Sequence, residues 1–186
     1  MELIEQIQAY EPFNEQERAD KALLLGALLS GEDFFTRDNQ TAHLTASAWV
    51  VTPDRQLVLM AYHKIYDSWA WLGGHADGER DAAAVAKREA LEESGLETVT
   101  QLSAGPVSLE ILTVDGHEKR GTYVPSHLHL NVTYLFEADP AAPLRIKADE
   151  NSGVAWIPMD KIDAYSSEPW FCRRIYSKLC EKAKQY

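Results

Sequence analysis

The stretch from Trp71 to Leu96, WLGGHADGERDAAAVAKREALEESGL, decides how this chain is read. It opens on Gly73-Gly74 and closes on Arg88-Glu89 and Glu92-Glu93-Ser94-Gly95. Between Asp81 and Ser94 the residues are mostly Ala, Lys, Arg, Leu and Glu, all strong helix formers. Asp81 offers an N-cap and Gly95 a residue for the left-handed position past the helix end. Positions i, i+3 and i+4 share a helix face, so Glu89, Glu92 and Glu93 form one acidic patch. Like charges at that spacing cost about 0.2–0.5 kcal/mol per pair. A solvated helix face tolerates this, and taken alone the triplet reads as a surface pattern. Two features argue for more. Ala83, Ala86, Ala90 and Leu91 leave the helix another face to bury. The glycine-rich stretch, read as a loop, also brings backbone and helix start together where a ligand can meet them. Clustered oxygen donors suit Mg²⁺ or Mn²⁺, and a hard divalent ion both relieves the repulsion and holds a diphosphate.

On these residues the chain resembles the Nudix hydrolase superfamily. The signature of that family is Gly-x5-Glu-x7-Arg-Glu-U-x-Glu-Glu-x-Gly-U, with U apolar. Gly74 and the run Arg88-Glu89-Ala90-Leu91-Glu92-Glu93-Ser94-Gly95-Leu96 match it in type and spacing. One position departs: the first glutamate would fall at residue 80, which is Arg80, and Glu79 stands one residue early. The resemblance implies that Glu89, Glu92 and Glu93 hold the metal, with the Gly74 carbonyl joining them, and that Arg88 orients the glutamates. Glu79 is not carried over. The implied fold is α/β: an α/β/α sandwich around a mixed sheet, with helices at both ends. The 186 residues are expected to form one domain. Within it, residues 1–40 would be a helical extension, 43–160 the Nudix core and 166–186 a closing helix.

The implied reaction is water attack on phosphorus in a nucleoside diphosphate linked to X, or a related diphosphate. Such a reaction asks for charge neutralisation and alignment. It also needs a base within reach of the water. A box glutamate, Glu92 or Glu93, can serve, or a carboxylate in a later loop. Glu150 in KADENSGVAW is the later-loop candidate and Asp149 its competitor; a solvated loop acid is the plainer reading of each. His75 either touches metal or phosphate or braces its loop. His127 and His129 alternate along a strand and share a face. Two histidines on one face invite a transition-metal reading, although packing or hydrogen bonding is commoner, and they are carried as residues lining the substrate cleft. GHEKRGTYVPS reads as a polar loop, and its Lys119 and Arg120 could meet substrate phosphate, although a plain solvated loop is the commoner reading. Trp69 and Trp71 share a face, and core packing is the usual role for such tryptophans.

The rest of the chain sets the frame. A hydrophobic fraction of 45% supports a real core. The net charge of −11 argues against polymeric DNA or RNA as a partner. A small-molecule diphosphate is the expected partner, and family habit adds a homodimer. Cys172 and Cys180 lie about two helical turns apart, too far for a bridge in a straight helix, and a reducing compartment fits them. No apolar run reaches membrane-spanning length and MELIEQIQAY is acidic and amphipathic rather than a leader, so a cytoplasmic protein is expected. NEQERADKALLLGALLS reads as a helix capped by Asn14 and followed by Gly31, covering the core or serving as a dimer contact or lid. HLTASAWVV and QLVLMAYHKI flank the turn signal Thr52-Pro53-Asp54-Arg55, and VSLEILTVD, HLHLNVTYLFEAD and VAWIP are further strands. PWFCRRIYSKLCEKAKQ closes the chain as a helix with a basic face.

Two rivals stand beside the hydrolase. An isopentenyl-diphosphate isomerase shares the Gly74-His75 pair, but it needs a cysteine where Gly73 stands. A non-catalytic nucleotide-binding module on the same fold would usually have lost the box glutamates, which are all present here.

Overall fold

Strands β1 (Ala42–Val51) and β9 (His127–Glu137) run parallel at the centre of the sheet, paired from Ala42–Leu128 to Val51–Glu137. This comes from a computed structural model, which describes residues 2–64, 67–119, 121–149 and 151–186. Strict alternation builds both strands. In β1 the side chains of Leu44, Ala46, Ala48 and Val50 enter one core. In β9 the even-numbered Leu130, Val132, Tyr134 and Phe136 join them. The odd positions change character along the strand. His43, Thr45 and Ser47 are polar, whereas Trp49 and Val51 enter a second apolar cluster. His127, His129, Asn131 and Thr133 are polar in the same way, and Leu135 is apolar. One sheet face is therefore polar at one end and apolar at the other, because side chains alternate with period two.

Around this pair the other strands assemble. β2 (Leu57–His63) follows β1 through the expected turn, where Arg55 takes φ 58° and Val51 pairs with Val58. β10 (Asn151–Pro158) lies beyond β2, while β6 (Ser108–Val114) and β5 (Thr100–Gln101) pair with β9. β3 (Ser68–Ala70) pairs with β2, and β4 (Leu72–His75) with β1. Among the described residues this is a mixed eight-stranded sheet. Its helices flank it as an α/β sandwich.

Helix α3 (Ala82–Ser94) begins and ends where the sequence predicts. Asp81 accepts from the amides of Ala83 and Ala84, and Gly95 sits at φ 70°. Ala82, Val85, Ala86 and Ala90 are buried against the even face of the sheet. Burying Val85 alone contributes about 1.5–3 kcal/mol. At the N-terminal end, α1 (Leu3–Ala9) precedes α2 (Glu15–Leu28), which Asn14 caps by accepting from the Glu17 amide at 3.0 Å. Gly31 follows with φ 87°.

Three sequence expectations are corrected. Gly73 and Gly74 lie in strand β4 and not in a loop, because their missing side chains let the strand pack closely. A Cβ on Gly73 would stand 2.8 Å from Ser47. The turn comes later, at Asp77 (φ 47°) and Gly78 (φ 93°). The polar run around Lys119 is a hairpin of β7 (His117–Lys119) and β8 (Thr122–Val124), turned at Gly121 with φ 78°.

The basic face of the closing helix is partly internal. That segment runs as α5 (Pro169–Phe171), a π-helical turn Cys172–Tyr176 and α6 (Ser177–Ala183); the short α4 (Ile162–Tyr165) precedes it. Lys178 is buried, 3.0 Å from Glu17 and 3.1 Å from Glu110, and Lys182 reaches Glu17 at 2.6 Å. Two carboxylates buried under α2 and β6 draw the lysines in, since an unpaired buried charge is costly. No helix among the described residues is long and apolar enough to cross a membrane.

Candidate functional site

The glutamates of α3 lie beside β4, and together they line a cleft of about 770 Å³. Glu93 is buried, and its Oε2 accepts from the Gly73 amide at 2.9 Å. Glu89 is pressed against the next residue of β4: a Cβ on Gly74 would stand 2.5 Å from its carboxyl carbon. Glycine at 74 is thus what lets the carboxylate reach the strand backbone. Burial raises the Glu89 carboxyl above its ordinary value, against the opposing pull of Arg88. Arg88 donates to Glu89 at 3.0 Å and to the His75 carbonyl at 3.2 Å, tying helix to strand. Glu92, the most exposed of the three, lies 4.0 Å from Arg88 and accepts from Lys147 at 3.1 Å.

Glu89, Glu92, Glu93, Gly74 and Arg88 therefore line one cleft wall. Asn131 lines it too; its Oδ1 accepts from Thr45 and Ser47, each at 2.9 Å, and its amide donates to buried Glu110 at 2.9 Å. The donor set is oxygen only, which fits a hard divalent cation. The Arg88 guanidinium and the Lys147 ammonium offset part of the repulsion between the carboxylates.

The departure at position 80 is resolved locally. Arg80 turns to the N-terminal segment, 3.6 Å from Asp33 and 4.3 Å above the Phe35 ring. Glu79 accepts from the Asp81 amide at 2.9 Å and so helps to cap α3, while also lining the cleft. Trp69 and Trp71 pack against the second apolar cluster, Trp69 edge-on to Tyr62 and Trp71 edge-on to Phe171 and Tyr176. Asp149 lines the cleft. Glu150 and Arg120 lie outside the described residues, and of Lys119 only the strand position in β7 is described.

His75, His127 and His129 come together, and they do so around His43. All six histidines of the chain line an adjoining cleft of about 320 Å³. Within it the donor atoms of His43, His75, His127 and His129 lie within 4.8 Å of one another. Burial pushes His129 down to about 2, with the neighbouring imidazoles acting in the same direction. Burial likewise lowers His43. Both shifts favour the neutral ring.

Sequence reading missed His43, Thr45, Ser47, Asn131 and Lys147. The first four carried a signal, since they are the polar residues at alternate positions of HLTAS and HLHLN. Lys147 carried none, because it reaches Glu92 from a connection distant in sequence.

A family model described as NUDIX domain matches residues 41–179. The chain belongs to the NUDIX domain family. Members of this family generally use divalent metal ions and act on small-molecule diphosphates, and this chain is an enzyme of that pyrophosphohydrolase class.

Solved Nudix structures share the fold. A NUDIX-family hydrolase from Clostridium perfringens is 18% identical with TM-score 0.53, over 77% of this chain and 97% of that one. A C. elegans Ap4A hydrolase in a binary complex is 14% identical with TM-score 0.52, over 77% and 98%. The E. coli dihydroneopterin triphosphate pyrophosphohydrolase is 13% identical with TM-score 0.52, over 74% and 94%. A search of curated proteins finds no match.

Proposed function

We propose that this Nudix enzyme hydrolyses a pyrophosphate bond in a nucleoside diphosphate linked to X, or a related small diphosphate, with Mg²⁺ or Mn²⁺. The carrying observation is that buried Glu93 and half-buried Glu89 stand side by side against Gly73 and Gly74, with Glu92 and Arg88 on the same cleft wall. In this reading Glu89, Glu92, Glu93 and the Gly74 carbonyl hold the ion. When bound, it neutralises phosphate charge and lowers the pKa of attacking water.

The protein's own groups do the remaining work. Arg88 fixes Glu89 relative to the β4 backbone. Glu93 or Glu92 takes the water's proton, with Glu150 or Asp149 as the later-loop base in its place. His75, His129 and Lys147 border the same cleft, where a diphosphate would sit. Its size suits a small molecule. In support of the class, the C. elegans fold neighbour is an Ap4A hydrolase and the E. coli one a dihydroneopterin triphosphate pyrophosphohydrolase. Lys119, Arg120 and His127 complete the proposed substrate contacts. We further read residues 1–186 as one unit, able to pair as a homodimer in the cytoplasm.

The test is release of phosphate and pyrophosphate over a broad diphosphate panel in Mg²⁺ and in Mn²⁺. Metal-dependent turnover that disappears in Glu93→Gln supports the reading. Silence of the folded wild type across the panel, together with thermal stabilisation by nucleotides, would replace it with a binding module. The isomerase rival is disfavoured because Gly73 occupies the cysteine position, and Cys172 and Cys180 lie in the C-terminal helical segment.

A further inference from the structure

We propose that His43, His75, His127 and His129 form a second metal site, distinct from the glutamates, that takes Zn²⁺. It is built from three adjacent strands. In the ladders, His43 of β1 is the partner of His129 of β9, and Thr45 of β1 is the partner of His75 at the end of β4. His127 stands two residues before His129 on the same face. The four rings converge: the His43 ring centre lies 4.8 Å from that of His75, 4.6 Å from His127 and 5.1 Å from His129.

Three details point to a ligand in the middle. First, His43 is only 6% exposed, and its Nε2 is a buried atom without a hydrogen-bond partner among the described residues. An orphaned buried polar atom is costly. A lone pair aimed at a cation removes that cost. Second, the outer nitrogens are already engaged. His43 Nδ1 lies 3.3 Å from the Asn39 carbonyl, and His127 Nδ1 lies 2.8 Å from the Pro125 carbonyl. A carbonyl only accepts, so each Nδ1 carries the proton and each Nε2 presents its lone pair inward. This outer-shell pattern fixes ligating histidines. Third, His127 Nε2 and His129 Nε2 are 3.3 Å apart. Two nitrogens each about 2.0–2.1 Å from one tetrahedral ion are separated by about 3.3 Å.

The choice of ion follows from the donors. Imidazole nitrogen suits Zn²⁺, while Mg²⁺ and Mn²⁺ prefer the carboxylates next door. Four protein ligands close the coordination sphere, which is the pattern of a structural ion. Such an ion would clamp β1, β4 and β9 together and hold His75 one residue from Gly74, shaping the edge of the cleft. The site goes beyond the hydrolase reading and does not depend on it; with the ion bound, His75, His127 and His129 border the cleft as its ligands and do not contact phosphate.

The test is Zn²⁺ binding to the full chain after chelator stripping, followed by calorimetry, bound-metal analysis and melting temperature. One Zn²⁺ per chain is expected, retained in excess Mg²⁺, with a rise in Tm. His43→Gln and His127→Gln should each weaken binding by more than the roughly 10–100-fold that an outer-shell partner is worth. Glu93→Gln should bind as the wild type does, even where it abolishes turnover.

A wild type that binds no Zn²⁺ overturns the proposal. So does binding that survives both histidine changes, or binding that Glu93→Gln removes, since the ion would then sit on the glutamates. If the histidine variants fail to fold, Co²⁺ in the wild type decides. A tetrahedral visible spectrum with imidazole signals shifted by the ion supports the site, and an octahedral, oxygen-type spectrum refutes it.

Discussion

Two groups of acidic side chains meet the sheet in this protein, and they are solved in opposite ways. Under α2 and β6, Glu17 and Glu110 are fully buried. Their oxygens are saturated from within: Lys178 and Lys182 pair with them, Ser108 bonds to both, and Tyr10 donates to Glu17 at 2.6 Å. Along the cleft, Arg88 pairs with Glu89 and Glu92, Lys147 pairs with Glu92, and the glutamates line a cleft of about 770 Å³. The first group is complete without a ligand and ties the chain's two ends together. The second lines a cleft wide enough for a small molecule to enter. Both groups contain a buried carboxylate, so burial alone does not separate them; access to the cleft does.

The contrast breaks most visibly at Glu93. Glu93→Gln keeps an oxygen for the Gly73 amide but removes the charge, so folding should persist. Turnover should fall by about 10²-fold or more, the scale of removing one preorganised electrostatic group; kcat beside a wild-type-like Tm checks this. A Glu93→Gln enzyme with full activity would move the chemistry elsewhere.

Lys178→Ala should show the reverse. It leaves two buried carboxylates facing Lys182 alone, and stability should drop by about 3 kcal/mol or more. Urea unfolding measures it, with kcat per folded molecule little changed.

Acid should separate the two groups by sign. Burial alone would raise the Glu17 carboxyl, but Lys178, with hydrogen bonds from Lys182 and Tyr10, holds it down to about 2 from its ordinary 4.5. Its contribution to stability is thus present above about pH 4.5 and lost as the pH falls toward 2. Glu89, raised by burial, acts in the opposite direction and favours the folded state as pH falls. A denaturation midpoint followed through this window should decline in the wild type and flatten in Glu17→Gln.

Gly74→Ala sharpens the comparison at lower cost to the fold. The added methyl meets the flexible end of Glu89, which must swing off the strand. Turnover should fall roughly 10–100-fold through misplacement, with stability nearly unchanged.

The smallest effect is expected at Arg80→Ala. It removes an exposed ion pair with Asp33 and a contact over Phe35, worth about 1 kcal/mol or less. Activity should be retained; a large loss would mean that the departed family position still serves the site.

Much of this was legible in the order of residues. The spacing from Gly74 through Gly95 specified α3, its caps and its acidic face, because helical geometry follows from local sequence. The alternation in HLTASAWVV and HLHLNVTYLFEAD specified two strands with one apolar face. Local pattern could not say that the two strands lie side by side and parallel, since that pairing joins residues more than eighty positions apart. Only that pairing places His43 beside His129, and only the antiparallel run of β4 on β1 adds His75. Glycines 73 and 74 read as a loop for the same reason: their purpose is to admit Ser47 and Glu89, which only folding brings near. The lysines of the closing helix read as a solvated face until the carboxylates of α2 and β6 were packed beneath them. The sequence by itself determined the elements and the chemical types at the site. The tertiary structure decided which of those types meet, because contacts between distant segments are set by the packing of whole faces and leave no periodicity behind.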